Sequence, residues 1–434
     1  MSPIIIIFIL FQVQITNEKK TYVAIPITHK KPSDSTFYSD LLSNPAYAKL
    51  KIGTPSQELN IRLSLKYCPF SLSGSETSIT DKKYDKSKSN TYKNLGGDKP
   101  KNIYFESFTS YFNSSETMYF GSEKYENIKF NYAYENNPKV NESGILGLLL
   151  RDTNLELLDF NLIRHLKKQD LTTSYSFFFN YKNDYEGELI IGNYPHEYDS
   201  SNYIEDNKVF ETVQIDDYEH ININVKAIKY GDTNILEGKN AHITFERGLS
   251  YGSENYKKEI LKDFFQKYLD NKKCTKHDID SSFETFVCDS SVNIKDLKTL
   301  NFTVESKDGS NLINFLFTYE DLFQKINGKW YFLVYFSKNF EMNLFEIGRI
   351  FFKKYIAAID QDKKIINFYK KKESNFGHII VWIFVFICIL IIGGLLFYIY
   401  KTRFFKRKLR ANELEDNYEY LSKDNNEAKN KLLN

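Results

Sequence analysis

Residues 52–74 read IGTPSQELNIRLSLKYCPFSLSG, and the fold is decided in this stretch. Gly53, Thr54 and Pro55 punctuate a turn. Leu59, Ile61 and Leu63 then alternate with Glu58, Asn60 and Arg62, the period-two pattern of a half-buried strand. The strand runs into Ser64-Leu65-Lys66-Tyr67, and no Asp or Glu stands between Leu59 and Ser75.

Outward from there, Tyr84-Asp-Lys-Ser-Lys-Ser-Asn-Thr-Tyr92 is a polar turn. Residues 103–112 and 116–120 are strand-like, with Gly121 punctuating a hairpin. In Asn141-Glu-Ser-Gly-Ile-Leu-Gly-Leu-Leu149, Gly144 and Gly147 bracket an apolar pair, as a tight turn packed under a core requires. Leu158, Leu162, Ile163 and Leu166 give helical spacing over 155–171. Residues 175–179 and 187–192 read as strands. Ile260, Leu261, Phe264, Phe265 and Tyr268 share one face of a helix over 256–269. Later come Phe345-Glu-Ile-Gly-Arg-Ile-Phe-Phe-Lys353 and Ile359-Asp360 to Ile366-Asn-Phe368.

In this order, from about residue 45 to 370, these anchors resemble the pepsin-like aspartic proteases. The IGTPSQ turn and its strand resemble the approach to that family's first active-site loop. Residues 84–92 resemble its P-S-x-S-S-T-Y turn, and 143–148 its D-G-I-L-G-L segment, with Ser143 in place of Asp. Residues 175–179 and 187–192 resemble its F-S-F-Y-L and G-E-L-x-F-G-G strands, and the last two segments its W-I-L-G-D-x-F-L-R and F-D…I-G-F. The resemblance implies a mainly β, bilobal fold with an N-terminal lobe over 45–185 and a C-terminal lobe over 186–372. Residues 17–44 form a lead-in, polar and loosely ordered over 17–40, which reads as an entry segment or a short pro-region.

At 434 residues and 42% apolar composition the chain has room for two or three domains. A net charge of +2, with no basic stripe interleaved with aromatics, excludes bulk attraction to nucleic acid. The run Ile4–Phe11 within residues 1–16 suits the apolar core of a signal peptide, with an uncleaved anchor as the alternative. Residues 379–400 carry no charge and, as a helix, span the roughly 30 Å hydrocarbon core of a bilayer. Lys401, Arg403, Lys406, Arg407, Lys408 and Arg410 follow, and dense positive charge marks the cytoplasmic side. The expectation is a single-pass type I membrane protein of the secretory pathway, endolysosomal system or cell surface, with a charged cytoplasmic tail over 401–434.

Cysteine usage fits that topology. Cys274 and Cys288 are expected to pair, closing a loop of about 15 residues worth roughly 3 kcal/mol in the chain-entropy model. Cys68 is left as a buried thiol or an intermolecular bond, and Cys388 falls inside the membrane span. Asn113, Asn141 and Asn301 begin glycosylation sequons. In the tail, Tyr418-Glu-Tyr-Leu421 fits the Tyr-x-x-apolar pattern that sorting adaptors read, whereas Leu432-Leu433 lies one residue too far from Glu427 for a dileucine signal.

The resemblance implies a site of two Asp carboxylates, one per lobe, sharing a proton so that one acts as base on a bound water while the other donates to the carbonyl. Ser64 occupies the first Asp position, with Leu65 and Lys66 in place of Thr and Gly. In the second lobe, Ala241-His-Ile-Thr-Phe-Glu246 aligns with A-x-x-D-T-G, which puts Thr244 at the Asp and Glu246 at the glycine. A shift of two instead makes Glu246-Arg247-Gly248 the equivalent. Either register leaves at most one carboxylate. Ser64 as a nucleophile needs a base and an oxyanion hole that nothing local in sequence supplies. Loss of one acid–base group costs about 10²–10⁴ in rate.

The flap keeps Tyr104, a candidate substrate contact or an ordinary strand tyrosine, but lacks the family's glycines. Lys66 and Glu246, at the two glycine positions, either pair across the old site or both point into a wet cleft. The seven histidines show no metal-ligand spacing, so neither metal nor cofactor is expected. The function read from the sequence is that of a pseudoprotease, which binds a peptide or protein ligand in the interlobe cleft. The alternatives are an active membrane-anchored aspartic endopeptidase and a structural surface glycoprotein.

Overall fold

The computed structural model describes residues 21–33, 36–42, 44–65, 68–79, 81–102, 108–136, 142–150, 155–203, 208–212, 221–244, 246–306, 309–339, 344–370 and 384–407, with residues 410, 414 and 418. The signal peptide expected over 1–16, Lys66, Tyr104, Asn141, residues 379–383, Leu421 and Leu432-Leu433 lie outside them.

The deciding stretch folds as its alternation requires. Strand Gln57–Ser64 buries Leu59, Ile61 and Leu63 completely or nearly so, and pairs antiparallel with Tyr47–Ile52. Between the two, Gly53 turns the chain at φ 90°, and a Cβ there would come 2.9 Å from Ser89 Oγ, so only glycine fits. On its other side the strand runs parallel to Gly144–Gly147: Arg62 faces Ile145, Leu63 faces Leu146 and Ser64 faces Gly147.

Among the described residues these strands belong to a 14-stranded sheet that draws on both ends of the globular part. Its middle orders Tyr355–Asp360, Ser176–Tyr181, Glu186–Ile191, Val23–Thr28, Tyr47–Ile52 and Gln57–Ser64 side by side. The second, 11-stranded sheet is built from residues between Ile221 and Ile347. A linear division at 185/186 therefore does not coincide with the division between sheets, because residues 355–370 return to pair beside Ser176–Tyr181. The fold is mainly β and pepsin-like.

The lead-in segment is ordered where it is described, contrary to its polar appearance. Val23, Ile25 and Ile27 alternate into the core as a strand, paired with Glu186–Ile191. Phe37, Tyr38 and Leu41 then bury one face of the short helix Phe37–Leu42. The flap-side hairpin also differs from expectation. Phe108–Phe120 is one continuous strand paired with Glu123–Asn136. Part of its polar centre is satisfied by side chains: Ser114 meets the Tyr92 hydroxyl at 2.9 Å, and Glu116 accepts from the Tyr84 and Thr91 hydroxyls.

The helix expected over 155–171 is two short ones, Leu155–Leu158 and Leu162–Lys168, separated by the cap Asn161. The helix expected over 256–269 runs as Glu254–Ile260, a π-helical turn Leu261–Phe265, and Gln266–Asp270. The wider turn brings the consecutive Phe264 and Phe265 both inward. Cys274 and Cys288 face each other in the hairpin of Cys274–Asp278 and Phe283–Asp289 and are disulfide-bonded.

A separate compact unit follows Lys371 and contains the helix Phe384–Arg407, the one described helix long and apolar enough to cross a membrane. It continues beyond the uncharged run into the basic cluster, through Lys401, Arg403 and Lys406.

Candidate functional site

Each lobe delivers one strand end to the seam between the sheets. Ser64 closes Gln57–Ser64, is fully buried, and its carbonyl accepts from Leu148 N at 3.0 Å. In the other lobe, strand Thr233–Ile243 runs parallel to Phe345–Ile347, with Ile243 facing Ile347. Thr244 follows, buried, donating its N–H to Ile347 O at 3.0 Å. Ser64 comes one step after the Leu63–Leu146 pair and Thr244 one step after the Ile243–Ile347 pair, so the two occupy equivalent positions. Gly147 and Gly348 are the matching residues of the partner strands. A Cβ on Gly348 would stand 2.1 Å from Leu249 O, which explains the glycine there.

Glu246 crosses this seam. Its backbone N–H donates to Thr244 Oγ1 at 3.1 Å, which orients its side chain. Its Oε1 then accepts from Ser64 Oγ at 3.0 Å and from Leu65 N at 3.0 Å. Backbone register thus makes Thr244 the counterpart of Ser64, while the side chain two residues later puts a carboxylate against Ser64. Glu is longer than Asp by one methylene, and it reaches from a position where the resemblance implies glycine. Lys66, the other half of the expected ion pair, lies outside the described residues.

Beside Glu246 lies a cavity of about 350 Å³ lined by Leu42, Pro45, Arg62, Arg247, Phe283 and Tyr335 as well. Arg62 shares the face of Ser64 through the period of two. Its Nη1 sits 2.9 Å from Glu142 Oε1. Arg247 Nη1 donates to the Tyr335 hydroxyl at 2.6 Å and sits 3.0 Å from Glu346 Oε1. Burial raises the Glu142 carboxyl above the usual carboxylate range; Arg62 opposes the shift and the Glu246 charge adds to it. Burial likewise raises the Tyr335 phenol.

The lead-in helix walls this cavity. Tyr38 donates its hydroxyl to Phe286 O at 2.9 Å, and Gly248 donates its N–H to Leu41 O at 2.8 Å, tying the segment to the C-terminal lobe. On the other side, Asn161 supports the loop after Ser64. Its Nδ2 donates to Cys68 O at 2.7 Å and to Gly147 O at 3.1 Å.

Of the remaining expected sites, Asn113 is buried in strand Phe108–Phe120 and its Nδ2 donates to Glu156 Oε1 at 3.1 Å. A glycan on that nitrogen would have to displace the bond and open the strand face. Asn301 is half-buried within Leu300–Glu305, and Tyr418 is 77% exposed. Among the described residues no group of three or more His, Cys, Asp and Glu side chains is arranged to hold a metal.

Sequence reasoning missed Arg62, Glu142, Asn161, Arg247 and Glu346. For Arg62 the signal was present, since it lies two residues before Ser64 on a strand. The partners Glu142 and Glu346 are distant in sequence and become visible only through the parallel pairings.

A family model for eukaryotic aspartyl proteases matches residues 46–371. The chain belongs to the eukaryotic aspartyl protease family. Among curated proteins no match was found.

Proposed function

We propose that this is a type I membrane protein whose lumenal or extracellular pepsin-like domain has given up proteolysis and works by binding a peptide or protein segment in the interlobe cleft. The observation that carries the reading is the pair of strand ends: Ser64 and Thr244 at equivalent positions, with Glu246 bonded to Ser64 Oγ and Leu65 N. A proton-sharing dyad needs two facing carboxylates. At the centre, the described residues offer one carboxylate and a hydroxyl. A serine hydroxyl stays protonated near neutral pH and cannot replace an acid–base carboxylate. The sheet that holds Gln57–Ser64 and the sheet that holds Thr233–Ile243 would serve as the two walls of a recognition groove. The signal peptide over 1–16, glycans on lumenal asparagines and an adaptor motif at Tyr418 and Leu421 complete this reading.

A second reading, an active endopeptidase, draws on the same Glu246. Its carboxylate stands within hydrogen-bond reach of Ser64, and Glu142 is electrostatically coupled to it. An assay on the full-length protein in detergent, with a peptide library from acid to neutral pH, separates the two. Peptide retention without cleavage supports the binding reading. Cleavage that an aspartic-protease transition-state inhibitor blocks, and that Glu246→Gln abolishes, would establish the second. Neither retention nor cleavage would leave the fold as a surface scaffold.

A further inference from the structure

This inference rests on the reading of the cleft as a peptide site and concerns what the cleft selects. Both arginines in the cavity lining already have a carboxylate: Arg62 has Glu142 at 2.9 Å and Arg247 has Glu346 at 3.0 Å. An acidic ligand would have to draw one of them away, leaving behind a carboxylate with little access to water, at a high cost in free energy. Glu246 is in the opposite position. Its two bonds come from the Ser64 hydroxyl and the Leu65 N–H, which are neutral, and both go to Oε1. They orient the carboxylate and carry no charge themselves; the Arg247 guanidinium, already held by Glu346, attracts it electrostatically from the same cavity wall. Among the described residues lining the cavity, Glu246 is the acid.

The walls suit a long cationic side chain. Leu42 and Pro45 are apolar, and the rings of Phe283 and Tyr335 meet edge to face at 5.2 Å. Lysine and arginine bury their methylene stems along such surfaces while the charged head reaches a polar partner, and an aromatic ring nearby adds attraction for the cation. A cavity of about 350 Å³ lies near the small end of ligand pockets, sized for a single large side chain with its flanks. The geometry points to a pocket for one basic residue, lysine or arginine, of an extended peptide, with its head group on Glu246 Oε2.

The test uses full-length protein in detergent micelles and fluorescent ten-residue peptides that are identical except at one scanned position, filled by Lys, Arg, norleucine, Gln or Glu. The expected result is binding of the Lys and Arg peptides about ten- to a hundredfold tighter than their norleucine and Gln counterparts, the range of a charge-assisted hydrogen bond. Glu246→Gln, which keeps an acceptor for Ser64 and Leu65, should bring the Lys and Arg peptides to within about twofold of the norleucine peptide measured on the same variant. Binding without preference, or preference for Glu, overturns the basic pocket but leaves the peptide-binding reading standing. Failure of every peptide to bind overturns both. A preference that emerges only in Lys66→Met would mean that Lys66 already neutralises Glu246, and overturns the proposal for the natural chain. Unfolding temperatures of both variants, measured alongside, distinguish lost recognition from lost fold.

Discussion

Glu246 brings one negative charge into the seam between the lobes and meets two neutral donors there. Glu246→Ala would leave the buried Ser64 hydroxyl and the Leu65 N–H without that acceptor, and the expected loss is about 1–3 kcal/mol in urea unfolding, with Glu246→Gln losing less. Equal losses for Ala and Gln would show that the two bonds contribute little.

His29 offers a second residue-scale prediction. Its Nδ1–H faces Asn44 O at 3.2 Å and its Nε2 takes the Tyr181 hydroxyl at 3.0 Å, so the neutral ring satisfies both neighbours. Burial, then the nearby Arg349 charge, lowers its pKa to about 3. The folded-state pKa is depressed, so the unfolded chain takes up the proton first. The stability from neutral His29 is present above about pH 6.5 and is lost as pH falls toward 3, with a ceiling on the order of 5 kcal/mol. His29→Gln should flatten that part of the pH–stability curve; an unchanged slope between pH 6.5 and 3 would contradict the assignment. At this scale Ser64 was legible from an ungapped strand. Glu246's contact with it was not, because the partners are separated by 182 positions in sequence.

At the scale of elements, alternation made the strands legible wherever apolar and polar residues take turns, as in Gln57–Ser64 and Val23–Thr28. It failed where a polar side chain does a backbone's work. Asn161 accepts from Arg164 N at 3.0 Å as the cap of Leu162–Lys168, and with its amide nitrogen it holds the carbonyls of Cys68 and Gly147. Helical spacing across 155–171 hides that interruption, because the apolar positions on both sides remain in phase. Asn161→Asp keeps the cap acceptor and removes the amide donor from two buried carbonyls. The expected cost is about 1–3 kcal/mol in chemical denaturation, with loosening of the loop after Ser64. Hydrogen exchange should rise at Cys68, Phe70 and residues 147–149, and protection equal to the natural protein's would count against the clamp. The lead-in helix Phe37–Leu42 was likewise hidden, since only three of its residues are buried and they find their partners on the far lobe, at Phe286 and Gly248.

For the whole molecule, the proposed topology makes a prediction that involves no site at all. In sealed microsomes, a tag after Asn434 should be removed by added protease while the pepsin-like domain stays intact until detergent is added; protection of the tag would reverse the orientation. The physical basis is local, an uncharged span followed by dense positive charge, and so it is legible in sequence. The same is true of the fold class: the turn at Gly53, the alternating strand after it and the ordered series of later anchors depend on neighbours in the chain. By itself the sequence determined a mainly β pepsin-like domain, a candidate membrane helix, and Ser64 at the end of the first loop strand. Only the tertiary structure decided which charges meet. Parallel pairing put Thr244 and Ser64 at equivalent backbone positions, brought Glu246 across the seam, and matched Arg62 with Glu142 and Arg247 with Glu346. Electrostatic partners are chosen by distance in space, and in a two-sheet fold whose last strands return to its first, distance along the chain carries almost no information about that.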